Sequence, residues 1–324
     1  MPSRVSPLTA TTQCLVLVAF ARNSEAKPVP YPSLDPEFLS QWIGRSEERR
    51  DRISLRQARL MQTTLERPAS LAEGDPLPPL WHWLYFPVEV PLSGLGREGH
   101  PQLGGFLPPV ALPRRMWAGG RYAFHAPLPL GTDVQRHSTI KTVSVKEGGS
   151  GPLCFVTVEH SFFIANRICL VEEHDIVYRD APKPGAPPPK PQPAPQDCDW
   201  QRRVEPSPIQ LFRYSALTFN AHRIHYDRDY CRDVEGYPGL VFHGPLTGTL
   251  LADLAASAVG RPLASFSFRA VAPLFDTAPF TIHGKPAQGG ASLWAATPDG
   301  GLAMTAEARF AEAGFAKNEV LEPA

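Results

Sequence analysis

The chain has 324 residues with 32 basic and 32 acidic side chains, so its formal net charge is zero. This length accommodates about two domains, and the balanced charge excludes bulk electrostatic attraction to nucleic acid or to an anionic membrane. The five cysteines form no CxxC pair, which argues against a disulfide framework and favours a reducing compartment. We therefore expect no nucleic acid and no membrane among the partners, and a cytoplasmic location.

Residues 1–26 are treated as an extension outside the fold. They contain two arginines, no acid before Glu25 and the apolar run CLVLVAFA, which is too short to span a membrane. Three interpretations stay open: a weak signal peptide, an organelle transit peptide or a disordered extension. A transit peptide would make the location mitochondrial instead of cytoplasmic.

A proline-rich segment at 181–195 divides the rest of the chain. Eight of its residues are proline, and such a run tends to polyproline II and excludes both helix and central strand. It is typical of a semi-rigid linker, and a ligand for an SH3-type domain is the alternative. The sequence thus predicts an N-terminal unit at 27–180 and a C-terminal unit at 196–324.

Both units carry patterns typical of antiparallel strands, and the C-terminal unit begins them with one apolar helix. Leucines and alanines recur at helical spacing over 243–260. Gly260 and the following Pro262 are signals that end a helix. Alternating or apolar segments separated by turns follow. The N-terminal unit ends in a comparable series after a helical pattern at 53–67, and its own long helix is shortened or replaced by the stretch GGFLPPVALPRRMW. Strands that curve around one helix predict an α+β fold.

The segment LTFNAHRIHYDRDY, residues 217–230, concentrates groups that can move a proton. An unperturbed histidine titrates near neutrality, so His225 is expected to accept or donate a proton, while the amide of Asn220 can hold a water or a carbonyl. His243 and Gly244 begin the predicted helix, whose N-terminus offers free N–H groups and a partial positive charge. A proton-transfer group, a positioning amide and an oxyanion-binding backbone suit addition of water to an α,β-unsaturated thioester, or the reverse.

The stretches FNAHRIHYD and GYPGLVFHGPL resemble motifs of the MaoC-like (R)-specific enoyl-CoA hydratases of the hot-dog fold. The N-terminal stretches LPPLWHW, FLPPVALPRRMWAGGRYAFHAPLPLG and GPLCFVTVEH resemble the N-terminal hot-dog unit of fatty-synthase-type dehydratases. The resemblance covers about residues 35–315 and implies a double hot-dog, two curved antiparallel sheets that each surround a helix and join edge to edge. It implies that His225 is the acid–base residue. Asn220 stands where the family has Asp, so it would orient water without taking its proton. The resemblance further implies a catalytic backbone donor, Gly244, and three substrate-binding residues, His243, Arg223 and Tyr226.

The same resemblance carries expectations about domains, substrate and partners. It implies a catalytic C-terminal domain, a non-catalytic N-terminal domain, no cofactor, no metal and an acyl-CoA substrate, with acyl-ACP as the alternative carrier and a homodimer as an open alternative. The subgroup with TFN-x-HRIHYD implies hydration of 3-methylfumaryl-CoA (mesaconyl-C4-CoA) to citramalyl-CoA. The alternatives are a 3-hydroxyacyl-thioester dehydratase, a hot-dog thioesterase and a non-enzymatic acyl-CoA-binding protein.

Simpler explanations of the cluster stay open. His225 could be a buried histidine that is hydrogen-bonded for structure alone. His222, His225 and His243 could be metal ligands together with Asp227, although no short second pair of ligands completes a usual pattern. We expect Asp227 to be a helix cap or a solvated acid, and His243 to begin the helix.

Two further stretches of the N-terminal unit have both a structural and a functional interpretation. His82, in the sequence WHW, is expected to pack in the core. Arg114, Arg115 and Trp117 either hold an acyl or CoA group or form a structural turn.

Overall fold

The computed structural model describes residues 34–149, 151–181 and 190–312. These residues belong to one compact unit, Pro32–Ala324. The predicted extension at 1–26 lies outside the described residues, as do residues 182–189 of the predicted linker. The division into two domains at that linker stays a prediction.

The described residues form one antiparallel sheet of ten strands. The strands are β1 Ser46–Arg52, β2 Arg114–Phe124, β3 Asp133–Gly148, β4 Gly151–Ile164, β5 Arg167–Arg179, β6 Trp200–Val204, β7 Leu263–Ala270, β8 Phe280–Ala287, β9 Gly290–Ala296 and β10 Leu302–Phe310. Their order across the sheet is β1-β3-β4-β5-β2-β7-β10-β9-β8-β6. The first five strands of the chain therefore occupy one half of the sheet, and the last five occupy the other.

Strands β2 and β7 join the two half-sheets edge to edge, as the resemblance implied. Their register pairs Gly119 with Arg269 and continues to Ala123 opposite Ser265. A Cβ at Gly119 would lie 2.4 Å from the carbonyl oxygen of Phe268, so this close approach requires glycine. Hydrogen bonding across the junction makes the two half-sheets continuous.

Only one described helix is long. The helices are α1 Pro36–Ser40, α2 Leu55–Thr64, α3 Pro208–Leu217, α4 Arg228–Tyr230 and α5 Gly244–Val259, with 3-10 turns at Trp81–Leu84, Leu92–Gly94 and Arg223–His225 and a π-helical turn at Cys231–Glu235. Helix α5 packs on β6 to β10 and buries most of its leucines. Gly260 ends it in the left-handed conformation, with φ of 67°. The helix predicted at 243–260 is confirmed, and no described helix is long and apolar enough to cross a membrane.

A proline-rich segment covers the sheet in the N-terminal half. Leu39 of α1 and apolar residues of 103–112 share one core cluster with Tyr178 of β5. Pro108 and Pro109 fix φ and lack backbone donors, so this segment cannot continue as a helix. The expected replacement of the long helix by this stretch is confirmed for the described residues, and α5 has no counterpart among them.

Contacts between the two halves hold the end of α3, from which the candidate site residues follow. Helix α2 packs against α3, and Gln57 donates through Nε2 to the carbonyl oxygen of Leu217 over 3.1 Å. Arg67, just after α2, forms a 2.6 Å ion pair with the buried Asp253 of α5. Elements of both halves therefore position the segment that follows Leu217.

Candidate active site

The turn after α3 gives Asn220 a defined orientation. Phe219 adopts a left-handed conformation with φ of 51°, and the Asn220 N–H donates to the carbonyl of Ser215 over 2.8 Å. The Asn220 side-chain oxygen accepts a 3.0 Å hydrogen bond from the backbone N–H of His222. The side-chain oxygen is thus engaged by the backbone, and the NH2 group remains available to donate a hydrogen bond to a ligand.

His225 is buried, with 7% of its surface exposed, and its tautomer is set by its surroundings. Nδ1 lies 2.8 Å from the carbonyl oxygen of Val241. A carbonyl can only accept, so Nδ1 carries the proton and Nε2 keeps a lone pair. Nε2 has no protein partner among the described residues, and it is not among their inaccessible polar atoms. This nitrogen is therefore free to accept a proton from a ligand or a water.

Burial lowers the pKa of His225 to about 4, although the hydrogen bond to Val241 opposes the shift. Burial is also the main cause that lowers the pKa of His222 to about 2, with a further contribution from His225. Both imidazoles are consequently neutral at neutral pH. A neutral imidazole can act as a general base without first losing a proton.

His243 lies directly against His225. The two rings stack with centroids 3.7 Å apart and an angle of 17° between planes. Nε2 of His243 is 2.9 Å from the hydroxyl of Ser215, and its fully buried Nδ1 has no hydrogen-bond partner. His243 occupies the N-cap position of α5 without a side-chain capping bond, as expected of a residue that begins the helix.

Gly244, the first residue of α5, faces open space. A Cβ built on it would meet no heavy atom within 4 Å, and its N–H donates to no described residue. The partial positive charge of a helix N-terminus favours negative charge at this point. The arrangement suits binding of a developing oxyanion next to His225.

A loop of the N-terminal half, residues 95–101, packs on the segment that carries the site. Its ends pair at Leu95 and Pro101, and the carbonyl of Glu98 accepts a 2.9 Å hydrogen bond from the N–H of Arg223. Gly99 adopts φ of 95°, and a Cβ there would lie 1.9 Å from the carbonyl oxygen of Ala221. The N-terminal half therefore reaches the candidate site directly.

The loop also adds His100, which sequence reasoning did not identify. Its ring lies over His222 with centroids 4.1 Å apart, and His222 in turn lies 5.5 Å from His225. No local motif could indicate His100, because five of the ten strands, β2 to β6, separate this loop from the site segment along the chain. Only the folded chain brings the three imidazoles into one row.

Two of the predicted substrate-binding residues do not join this row. The Arg223 guanidinium pairs with Asp227 at 2.7 Å and lies 4.2 Å from the centroid of the Tyr230 ring. Tyr226 is exposed, and its hydroxyl donates to the carbonyl of Ala221 over 3.0 Å. A role for Arg223 or Tyr226 in substrate binding stays a prediction without a supporting contact.

Asp227 acts as a helix cap, in agreement with the sequence. Its side chain accepts a 3.0 Å hydrogen bond from the N–H of Tyr230 at the start of α4. The described residues contain no group of three or more His, Cys, Asp or Glu side chains that could hold a metal ion. The alternative in which His222, His225, Asp227 and His243 bind a metal therefore has no geometric support.

A second set of buried polar side chains lies on the inner face of the N-terminal half. Glu172 accepts hydrogen bonds from His82 at 3.0 Å and from the indole N–H of Trp83 at 3.1 Å. Burial opposes ionisation of Glu172, yet the hydrogen bond from His82 and neighbouring charges lower its pKa to about 2. His82 packs against the ring of Phe162, so its predicted place in the core is confirmed.

The ten-stranded sheet, with one long helix packed on its C-terminal half, is a double hot-dog fold. A family model, hydroxyacyl-thioester dehydratase type 2, matches residues 80–276. The chain belongs to this family.

Two curated relatives and one solved structure are similar to the chain. It is 51% identical to a mesaconyl-C4-CoA hydratase from Chloroflexus aurantiacus over 269 residues. The aligned region covers 82% of this chain and 95% of that protein. It is 28% identical to a mitochondrial hydroxyacyl-thioester dehydratase type 2 from Schizosaccharomyces pombe, over 64% of this chain and 77% of that protein. A MaoC-like dehydratase from Phytophthora capsici superposes with a TM-score of 0.62 at 16% identity, over 87% of this chain and all of that one. The superposition shows the fold.

Proposed function

We propose that the protein is a hydro-lyase that adds water reversibly to 3-methylfumaryl-CoA, which is mesaconyl-C4-CoA, and forms citramalyl-CoA. The observation that carries the chemistry is the neutral His225, whose Nδ1 proton is committed to Val241 and whose Nε2 is free. The 51% identity to a mesaconyl-C4-CoA hydratase over most of both chains supports the substrate. No cofactor is needed, because the thioester itself activates the double bond.

The reaction needs a base that takes a proton from water, an acid that delivers a proton to the α-carbon, and a hydrogen-bond donor to the enolate oxygen. Nε2 of His225 takes a proton from water while the water oxygen forms a bond to the substrate's β-carbon. The electron pair of the double bond moves toward the thioester carbonyl, and the N–H of Gly244 at the N-terminus of α5 stabilises the resulting enolate oxygen. The His225 imidazolium then returns the proton to the α-carbon, which completes the addition of one water molecule.

The environment of His225 suits this proton cycle. An imidazole with a depressed pKa is unprotonated at neutral pH, and it gives up its proton readily once it is charged. Stacking on His243 restrains the ring, and the bond to Val241 directs Nε2 away from the backbone. The NH2 group of Asn220 donates to the attacking water and positions it without competing for its proton.

A 3-hydroxyacyl-thioester dehydratase is the second candidate, since the family and the yeast relative carry that name. It would use the same residues in the reverse direction, with acyl-ACP as the alternative carrier. A thioesterase requires a carboxylate or an equivalent group to activate water at the carbonyl carbon. Of the two acids in the segment, Asp227 is engaged by Arg223 and by the N–H of Tyr230, and Asp229 is exposed and paired with Arg232, which disfavours hydrolysis.

A substrate panel tests the proposal. The purified full-length protein is incubated with 3-methylfumaryl-CoA, crotonyl-CoA and a 3-hydroxyacyl thioester on CoA or on ACP, and enoyl absorbance and free thiol are followed separately. We expect loss of enoyl absorbance without thiol release, with the highest kcat/KM for 3-methylfumaryl-CoA. A preference for the 3-hydroxyacyl thioester would select the second candidate, and thiol release would reject both.

Two accompanying expectations remain predictions. The substrate partner is an acyl-CoA, and assembly as a homodimer is an open alternative that size measurement in solution would decide. A cytoplasmic location is predicted from the composition, and residues 1–26, on which a mitochondrial location would depend, lie outside the described residues.

A further inference from the structure

Arg115 is a cation beside the candidate site without an acidic partner among the described residues. Its register in β2 places it opposite Tyr178 of β5, so both side chains lie on the same face of the sheet. Tyr178 is fully buried, and that face is therefore the inner one. The adjacent Arg114 is different, because Glu235 binds it at 2.9 Å and it lies over the ring of Tyr237.

The charge of Arg115 acts on the row of imidazoles. Burial is the main cause of the low pKa of His100, and the Arg115 charge lowers it further. The same charge adds to burial and to the effect of His225 in lowering the pKa of His222. Arg115 therefore lies within electrostatic range of His100 and His222, and both of these rings are neutral.

The two imidazoles have hydrogen-bonding atoms to spare. Nδ1 of His100 is buried without a hydrogen-bond partner and faces the carboxylate of Glu98, 3.8 Å away, whereas Nε2 is not among the inaccessible polar atoms. No described residue forms a hydrogen bond with the ring nitrogens of His222. One permanent cation and two rings able to donate N–H bonds make a site suited to a carboxylate.

The proposed substrate carries a carboxylate at the required place. In 3-methylfumaryl-CoA the free carboxylate is attached to the β-carbon, one bond of about 1.5 Å from the atom that water attacks. Water activated by His225 must reach that carbon, so the carboxylate must lie within a few bond lengths of the His225 ring. His222, with its ring centroid 5.5 Å from that of His225, is at a suitable distance.

We propose that Arg115, His100 and His222 bind the free carboxylate of the substrate and thereby select a dicarboxylic monothioester over a simple enoyl thioester. This inference rests on the proposed function and specifies how the same site recognises its substrate. Crotonyl-CoA lacks the carboxylate on the same carbon and leaves Arg115 uncompensated. The site distinguishes the two substrates by charge, because the reacting bond and the thioester are common to both.

The test compares kcat/KM for 3-methylfumaryl-CoA and crotonyl-CoA in Arg115→Met, Arg115→Lys and Arg114→Met. The ratio of the two values, measured on one preparation, is independent of the fraction of active protein. We expect Arg115→Met to lower the ratio by about thirtyfold, equivalent to about 2 kcal/mol. Arg115→Lys should recover part of it, because it keeps the charge. Arg114→Met, a matched loss of the adjacent arginine, should leave the ratio as in the wild type.

Equal losses on the two substrates in Arg115→Met would overturn the inference and leave the proposed function intact. Failure of the wild type to hydrate 3-methylfumaryl-CoA would instead defeat the proposed function, and the inference with it. If Arg115→Met does not fold, His100→Gln provides the same comparison. A ratio lowered at least about fivefold, or about 1 kcal/mol, supports the inference, and an unchanged ratio rejects it.

Discussion

At the scale of single residues, the site depends on which atoms the fold has already engaged. Val241 fixes the proton on Nδ1 of His225, and the N–H of His222 engages the oxygen of Asn220. What remains is one acceptor, Nε2 of His225, and one donor group, the NH2 of Asn220. We predict that one water molecule contacts both, as a hydration reaction requires.

Replacing His225 by alanine should lower kcat/KM for hydration by at least about a hundredfold, the size expected for a general acid–base group. Ser215→Ala is the matched control, because it removes the hydroxyl that contacts His243 and leaves the base in place. We expect this control to lose less than about tenfold, in line with one neutral hydrogen bond. Thermal midpoints should be recorded for both variants. A His225→Ala protein that is fully active, or that does not fold, would indicate that His225 has only a structural role.

Replacing Asn220 by aspartate tests why an amide stands there. Aspartate can accept the same N–H of His222 and keep the turn, but it adds a negative charge. At ~5 Å and an effective dielectric constant of about 20, two like charges repel by roughly 3 kcal/mol. We expect the variant to lose at least about tenfold more kcat/KM on 3-methylfumaryl-CoA than on crotonyl-CoA. Equal losses would mean that Asn220 only positions water.

The sequence was sufficient to predict the candidate residues that lie close together in the chain. Asn220, His225 and Gly244 belong to two short stretches with recognisable chemistry, and the structure places the latter two near one another through the stacked His243. His100 could not be identified in this way, and Arg115 was a candidate only together with Arg114 and Trp117, because the sequence does not show which of the two arginines has an acidic partner. Their proximity to His222 depends on the path of a distant loop and on the register of β2, which no local pattern encodes.

At the scale of elements, hydrophobic periodicity predicted the helices and strands that have an apolar face. It did not predict a strand without apolar residues. Helix α5 and β7 to β10 were recognised because their core faces repeat regularly. Strand β1, Ser46–Arg52, was missed because its sequence SEERRDR contains no apolar residue. It lies at the edge of the sheet, where pairing with β3 makes it a strand and its charges protect an exposed edge.

Helix α3 was missed although a signal was present. Ser207 stands at its N-cap and a proline at its first turn, which is a recognised start of a helix. The ten-residue helix has apolar residues on both faces, since Ile209 and Phe212 are exposed while Leu211 and Tyr214 are buried. Without a clear apolar stripe the pattern was ambiguous.

The loop 95–101 provides a prediction at this scale. Gly99→Ala should force the loop away from Ala221, because its Cβ would lie 1.9 Å from the carbonyl oxygen there. Gly74→Ala is the control: it has a similar φ of 85° but meets nothing within 4 Å. Both variants bear the cost of the left-handed conformation, about 1–2 kcal/mol. Only Gly99→Ala should also lower kcat/KM by about tenfold or more. Equal kinetics in the two variants would show that the loop contact does not support the site.

At the scale of the whole molecule, the sheet and its core join the two halves into one structure. The main core cluster contains residues of both halves, such as Trp81 and Leu251, and the ion pair of Arg67 with Asp253 links them again. This continuity could not be deduced from the proline-rich segment, which predicted a division. The linker separates the halves along the chain, while β2 and β7 join them in space.

Acid should destabilise the whole molecule. Burial is the largest cause that depresses the pKa below 6.5 for seven histidines, His100, His160, His174, His222, His225, His243 and His283. The unfolded chain therefore binds more protons than the folded one below about pH 6.5, and stability falls as the pH drops toward 4. Each such histidine contributes at most about 1.4 kcal/mol per pH unit, the limit for one proton bound only in the unfolded state.

We expect the thermal midpoint to fall steeply between pH 7 and pH 5. His174→Gln should reduce the pH dependence, whereas substitution of the exposed His137 by glutamine should not. A midpoint that is constant over this range would contradict the burial of neutral histidines.

The central claim is that His225 adds water to the carbon–carbon double bond of an enoyl thioester that carries a free carboxylate. Conversion of 3-methylfumaryl-CoA in heavy-oxygen water, followed by mass spectrometry of the product, tests it most directly. The wild type should yield citramalyl-CoA with one heavy oxygen on the β-carbon and an intact thioester, and His225→Ala should yield less by at least about a hundredfold. Label found only in a free carboxylic acid released from CoA, or unchanged substrate with the wild type, would contradict the account.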